Sequence, residues 1–68
     1  MTLSARNQFK GTIDEVQLGD VLAHVTVRVG DSVIESVITR HSTEELGLKK
    51  GDSVTAVVKA TEVMISKA

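Results

Sequence analysis

The chain contains no cysteine and no proline. Without cysteine it can form neither a disulfide bond nor a thiolate metal site. Its two histidines, His24 and His41, are too few for a metal site without carboxylate ligands. A chain of 68 residues buries only about 60% of its unfolded surface, so an isolated fold of this size is marginally stable. With disulfides and metals set aside, oligomerisation is the remaining source of stability.

Aromatic residues are nearly absent as well, since Phe9 is the only one. Bases of single-stranded nucleic acids stack on aromatic side chains, and this chain offers no such platform. Its 8 Lys and Arg residues are balanced by 9 Asp and Glu, for a net charge of -1. That balance lacks the excess of cations that neutralises phosphates. We therefore expect no nucleic-acid partner.

Long apolar runs are also missing from the sequence. No segment reaches the length that crosses a bilayer, and the N-terminus lacks the apolar core of a signal peptide. We therefore expect no membrane partner and a cytoplasmic location. The length predicts a single domain over residues 1–68. No residue pair suggests a nucleophile with its base and no cofactor motif occurs, so we do not expect an enzyme.

Apolar residues alternate along most of the chain, which is typical of β-strands. Gly-Asp pairs at residues 19–20, 30–31 and 51–52 mark turns between these strands. The third strand segment, "SVIESVIT", is apolar on both of its faces. A strand of this kind is expected to be covered on both sides, so the pattern predicts that a second subunit covers the outer face.

One motif, "HSTEELGLKKG", interrupts the alternation. Ser42 with Glu45 three residues later forms a capping box and Gly47 is a helix terminator, which predicts a helical turn from about Thr43 to Leu46. The segments "SVTAVVKA" and "EVMIS" that follow have the strand pattern again. The predicted order is therefore β-β-β-α-β-β, with strands too close together for parallel crossovers. We predict a mainly β fold, a small OB-like antiparallel β-barrel with one short helix.

Two polar segments stand out near the ends of the chain. The stretch "SARNQF" begins the first predicted strand, where alternation places the side chains of Ser4 and Arg6 on one face. Near the other end, Lys59 carries the only charge in "TAVVKAT" and shares a strand face with Thr61. Each segment thus combines a cation with a hydroxyl group.

A third polar group, Thr39 and Ser42, flanks the predicted helical turn, whose free backbone N–H groups suit an anion. Cations, hydroxyls and backbone donors together suit a small oxyanion, whereas a metal cation prefers carboxylates, imidazoles or thiolates. The same residues have structural interpretations. Ser42 can be a helix N-cap, while Arg6 and Lys59 can be solvated charges or partners of acidic residues. Spacing alone leaves both interpretations open.

Three motifs resemble those of a known family: "SARNQ", the turn region "LGLKKG" and "VVKATEVMI". The chain is similar over nearly its whole length to the molbindins, the small stand-alone proteins of the molybdate/tungstate-binding Mop or TOBE-type domain. The resemblance implies an OB-like barrel that assembles as a homohexamer, a trimer of dimers. It also implies molybdate or tungstate bound as an oxyanion between subunits, and no bare metal ion.

The resemblance also implies which residues form the pocket. The serine and arginine of "SARNQ", with the backbone N–H groups between them, are half of it, and the lysine of "VVKAT" with the next two residues completes it from another subunit. The hydroxyls of a T-x-x-S motif add to this set. The implied oxyanion-binding residues are Ser4, Ala5, Arg6, Thr39, Ser42, Lys59, Ala60 and Thr61.

An intracellular molybdate/tungstate-binding protein for storage and homeostasis is the function that this resemblance implies. The alternative is a regulatory or interaction module that docks on a transporter or a regulator when its ligand is bound. The alternative predicts a partner that is recovered only in the presence of the oxyanion.

Overall fold

The computed structural model describes residues 4–68, which form one antiparallel sheet, one α-helix and one short 3₁₀ helix. The sheet has four strands in the order β3-β2-β1-β4. The mainly β, antiparallel class with one short helix is thereby confirmed. The elements are β1 Asn7–Leu18, β2 Leu22–Val29, β3 Ser32–Thr39, α1 Arg40–Leu46, β4 Ser53–Val58 and the 3₁₀ helix Ala60–Glu62.

Strand β1 joins the two halves of the sheet, because it pairs with β4 along its first half and with β2 along its second. Thr12 has a ladder partner on both neighbours. A β-bulge lies directly after it, between Ile13 and Glu15. A bulge bends its strand and increases the local twist, so the sheet curls in the manner of an OB-like barrel.

Gly11 permits the close approach of β1 to β2 at this bend. A Cβ at this position would lie 2.4 Å from the carbonyl oxygen of Arg28 and 2.9 Å from Cγ1 of Val27. Both distances are shorter than van der Waals contact, and the nearer atom belongs to the backbone. Only glycine fits here without moving one of the strands.

We expect Gly11→Ala to lower the free energy of unfolding by about 3 kcal/mol, near the upper end for overpacked sites. The reason is the overlap of the new methyl group with the backbone of β2. Urea unfolding followed by circular dichroism measures the change. Gly30→Ala is the comparison variant. Nothing lies within 4 Å of its added Cβ, so it carries only the backbone strain that a φ of +59° imposes on alanine. A loss at Gly11 no larger than that at Gly30 would contradict the steric explanation.

The core is small and is centred on β1 and β2. Its buried apolar members are Ile13, Ala23, Val25 and Val27. Partly buried apolar residues from β1, β2, β3, β4 and the loop after α1 pack against Ile13, Val25 and Val27. An apolar hollow of about 450 Å³ adjoins this core between β3 and β4. Those two strands do not pair with each other within residues 4–68, so the sheet curls without closing.

Helix α1 begins at Arg40 and not at Thr43 as predicted. Its N-cap is Thr39, whose Oγ1 accepts a hydrogen bond from the Ser42 N–H at 3.0 Å. The capping box with Ser42 as cap was therefore wrong, because the chain turns into the helix directly from the last residue of β3. Gly47 ends the helix as predicted, in the left-handed conformation with φ 62°.

The fifth predicted strand, over "EVMIS", does not form in the described chain. Residues 63–68 follow the 3₁₀ helix and belong to no sheet. Met64 and Ile65 are 93% and 89% exposed. The segment has strand propensity, but a strand also needs the edge of a partner strand, and this segment pairs with neither β3 nor β4.

The outer face of β3 is exposed in the single chain. Val33 and Val37, which alternate along this face, are 46% and 65% exposed. An exposed apolar face of this kind is what the predicted contact with a second subunit requires. That contact stays a prediction. No helix within residues 4–68 combines the length and hydropathy needed to cross a membrane.

Candidate functional site

The β1–β4 ladder brings two of the three polar segments to the same end of the sheet. Its last pair is Asn7 with Val58. Arg6 immediately precedes this pair on one strand, and Lys59 immediately follows it on the other. The sequence-based expectation placed these two cations in different subunits. The register shows that both also continue from neighbouring strand ends of one chain, and which subunits supply a site stays a prediction.

We call residues Ser4–Arg6 and Lys59–Thr61 together the cation cluster. Both segments lie outside the sheet, since β1 begins at Asn7 and β4 ends at Val58. The expectations that Ser4 and Arg6 share a strand face, and that Lys59 and Thr61 do, were therefore wrong. Ser4 lies at a bend and the two residues after it have no regular structure, while Thr61 belongs to the 3₁₀ helix after Lys59. Backbone N–H and C=O groups that make no ladder hydrogen bonds are available to water or a ligand.

Neither cation of the cluster has an acidic partner within residues 4–68. The other two arginines of the chain do: Arg28 lies 3.1 Å from Asp14, and Arg40 lies 3.6 Å from Glu44. Ion pairs with acidic residues within residues 4–68 therefore do not account for Arg6 and Lys59. Two like charges at neighbouring strand ends repel, and an anion between them offsets both.

Backbone donors accompany the two cations. The N–H groups of Arg6, Ala60 and Thr61 donate no hydrogen bond to another residue of the described range. Exposed backbone N–H groups of this kind bind water or a ligand. The cluster therefore combines two fixed charges with backbone donors and the hydroxyls of Ser4 and Thr61, and its six residues include no carboxylate.

Thr39 and Ser42, the hydroxyl cluster, are bonded to each other at the start of α1. Oγ1 of Thr39 donates to Oγ of Ser42 at 2.9 Å and accepts from the Ser42 backbone N–H at 3.0 Å. Thr39 is thus occupied as the helix cap. Ser42 Oγ accepts in this pair, so its own hydroxyl proton remains available to an acceptor.

The two clusters lie at opposite ends of the sheet. Thr39 ends β3 and faces Leu22 at the start of β2. The start of β2 in turn pairs with the end of β1, where Leu18 faces Ala23. Arg6 instead precedes the start of β1. That strand has 12 residues, which span roughly 35 Å along the strand at about 3.3 Å per residue. The eight predicted residues therefore form two clusters and not one pocket within a chain.

A second hollow lies beside the hydroxyl cluster, open to solvent, with a volume of about 480 Å³. Thr39, Arg40 and His41 line it together with Asp20, Val21 and Glu44. Arg40 is held in place there, because its Nη1 donates to the carbonyl oxygen of Gly19 at 3.2 Å and its Nε faces Glu44. The spacing of the sequence does not show this arrangement, since the turn that brings Gly19 next to α1 is formed by tertiary structure.

Sequence reasoning missed Gln8, although it belongs to the "SARNQ" motif. Its Nε2 donates to the carbonyl oxygen of Ala5 at 3.2 Å. A bond from a side chain to the backbone three residues earlier leaves no signature in apolar alternation. The motif itself was the one available signal.

Known families and proteins resemble this chain over most of its length. The TOBE domain family matches residues 3–65. Molybdenum-pterin-binding protein 2 of Clostridium pasteurianum is 48% identical over 66 residues, which cover 96% of this chain and 97% of that protein. The match thus spans both clusters and the sheet that separates them.

Two solved structures share the fold throughout. MopII from Clostridium pasteurianum, in an apo form, has 46% sequence identity and a TM-score of 0.91, covering 97% of this chain and 100% of that one. A molybdate-binding protein from Sporomusa ovata has 37% identity and a TM-score of 0.94, covering 98% and 100%. The likeness extends over the whole sheet and helix.

Proposed function

Because this chain belongs to the TOBE domain family, as one of its molbindin (Mop) proteins, we propose that it binds molybdate, or tungstate, as an oxyanion. The cation cluster is the observation that carries the proposal. Arg6 and Lys59 continue from adjoining strand ends, have no acidic partner within residues 4–68 and stand beside unbonded N–H donors. Binding, and not catalysis, is the activity proposed.

The chemistry of the cluster matches a tetrahedral dianion. Such an ion accepts many hydrogen bonds, and two cations offset its charge. Charge-assisted hydrogen bonds contribute about 1.5–3 kcal/mol each, so a few of them give specific binding. Sulfate has the same charge and a smaller size, so cavity size discriminates against it. Phosphate near neutral pH carries a proton, which a pocket made of donors disfavours. Molybdate and tungstate are nearly equal in size and charge, and the same pocket takes both.

We propose that two chains share each site, the cation cluster of one meeting the hydroxyl cluster of another. The position of the clusters at opposite ends of one sheet supports this arrangement, because one chain does not close all eight residues around a small ion. Ser42 then supplies its free hydroxyl proton to the anion. The second chain therefore contributes Thr39 and Ser42, in place of the Lys59 that the sequence suggested.

A homohexamer, a trimer of dimers, is the assembly we propose, in the cytoplasm and with a role in storage and homeostasis of the oxyanion. Exposed apolar residues support an assembly: Val21, Val37 and Leu46 are exposed along with the C-terminal Met64 and Ile65. Surfaces of this kind on a small chain are typical of interfaces with other subunits.

Native mass spectrometry with and without molybdate tests the proposal. We expect an oligomer that gains a discrete number of molybdate ions and none of sulfate, the control of equal charge. A protein that stays monomeric at micromolar concentration would contradict the shared site. An oligomer indifferent to molybdate would contradict the binding function and favour the docking module.

A further inference from the structure

The side chain of Gln8 reaches back over the start of β1. Its amide donates to the carbonyl oxygen of Ala5, and this is the one hydrogen bond within residues 4–68 that involves Ser4–Arg6. Gln8 itself stays in the ladder, opposite Val57. A residue anchored in the sheet thus holds a segment that the sheet does not.

This bond orients the peptide group between Ala5 and Arg6. The described range contains no cis peptide bond, so the carbonyl of Ala5 and the N–H of Arg6 point in opposite directions. Holding the carbonyl towards the Gln8 amide therefore directs the Arg6 N–H the other way. The bond also occupies the carbonyl oxygen of Ala5. If that oxygen could turn towards a bound anion, its partial negative charge would repel the anion.

We propose that Gln8 is a positioning residue for the oxyanion site, an inference that rests on the proposed function. Gln8 need not touch the anion. Its amide keeps the peptide that leads into Arg6 in a single orientation before the anion arrives. Less conformational freedom is then lost on binding, and a site ordered in advance binds more tightly than one that must be ordered by its ligand.

Gln8→Met tests the proposal, since methionine keeps the length of the side chain and removes the amide. We expect the dissociation constant for molybdate, measured by isothermal titration calorimetry on the assembled protein, to rise about fivefold, as for the loss of one modest hydrogen bond. Gln17→Met is the matched control. Gln17 is the chain's other glutamine, lies exposed on the same strand and donates no side-chain hydrogen bond to a described residue. We expect no change there.

The Arg6 backbone amide reports on the peptide group that the Gln8 bond holds. In ¹⁵N-labelled apo protein, we expect Gln8→Met to shift the Arg6 resonance, while the thermal midpoint stays at the wild-type value. Gln8→Thr is the second variant if methionine lowers that midpoint, because threonine favours strands and is too short to reach Ala5.

The outcomes separate the inference from the function on which it rests. Wild-type affinity in both Gln8 variants, or an equal loss in Gln17→Met, overturns the positioning role and leaves molybdate binding intact. A wild-type protein that binds no molybdate overturns the proposed function and the inference together.

Discussion

Arg6→Ala is expected to weaken molybdate binding at least tenfold, and Lys59→Ala to do the same. Each variant removes one of the two cations that continue from the β1–β4 ladder. Losing a charge-assisted hydrogen bond costs about 1.5–3 kcal/mol, and each 1.4 kcal/mol is a factor of about ten in the dissociation constant. Isothermal titration calorimetry on the purified oligomer measures the change. Arg6→Lys is expected to recover part of the affinity, because it keeps the charge and loses the planar fork of donors.

Lys10→Ala is the control for the general effect of charge. Lys10 is exposed, forms no ion pair within residues 4–68 and lies on β1 opposite Thr55, outside the cation cluster. Lys10→Ala removes one positive charge, as Arg6→Ala does, from a position four residues away on β1. Unchanged affinity in Arg6→Ala, or an equal loss in Lys10→Ala, would show that the cluster is not the site.

Mixed oligomers extend this test to the sharing of each site between chains. Chains with Arg6→Ala keep an intact hydroxyl cluster, and chains with Ser42→Ala keep an intact cation cluster. If two chains share each site, refolding the two variants together restores part of the tight binding that each lacks alone. A mixture that binds only as weakly as its components would place every ligand of a site in one chain.

Removal of residues 63–68 is expected to break the assembly into smaller species while each chain remains folded. The segment contributes Val63, Met64 and Ile65, which are exposed in the single chain and lie outside the buried core. Burying one such side chain in an interface stabilises it by about 1.5–3 kcal/mol, so losing three removes much of the association energy. Size-exclusion chromatography with light scattering measures the mass, and far-ultraviolet circular dichroism reports the sheet.

The matched control removes only Lys67 and Ala68, which leaves the apolar part of the segment in place. We expect this shorter deletion to keep the full assembly. Ile65→Asp is the point variant, and we expect it to weaken the assembly without shortening the chain. A truncated protein that keeps the wild-type number of subunits would place the interface elsewhere, on β3 or on the turn that holds Val21.

Local signals in the sequence were reliable where the structure is local. Gly30 follows β2, Gly51 precedes β4 and Gly47 ends the helix, each with a positive φ that favours glycine whatever surrounds it. The Ser42 cap was wrong for a related reason. Thr39 and Ser42 are both good caps, and the end of β3 at Thr39 decided between them.

Local sequence signals did not predict which strands pair with each other. The "EVMIS" pattern has strand propensity, yet no edge within the described chain receives it, and a pattern does not say which edge is open. The sequence pattern likewise did not show where Arg6 and Lys59 lie relative to each other. Their residue types predicted an anion site, but only the register of β1 with β4 shows that both continue from neighbouring strand ends of one chain.

By itself, then, the sequence determined the mainly β class, the resemblance to the molbindins and the polar residues that suit an oxyanion. The tertiary structure decided how those residues are grouped: one cluster at each end of the sheet, with Gln8 holding Ala5 at one of them. The physical reason is that residue type and spacing act over a few neighbours, whereas strand register joins residues far apart in the chain. A change of register by one residue would move every partner.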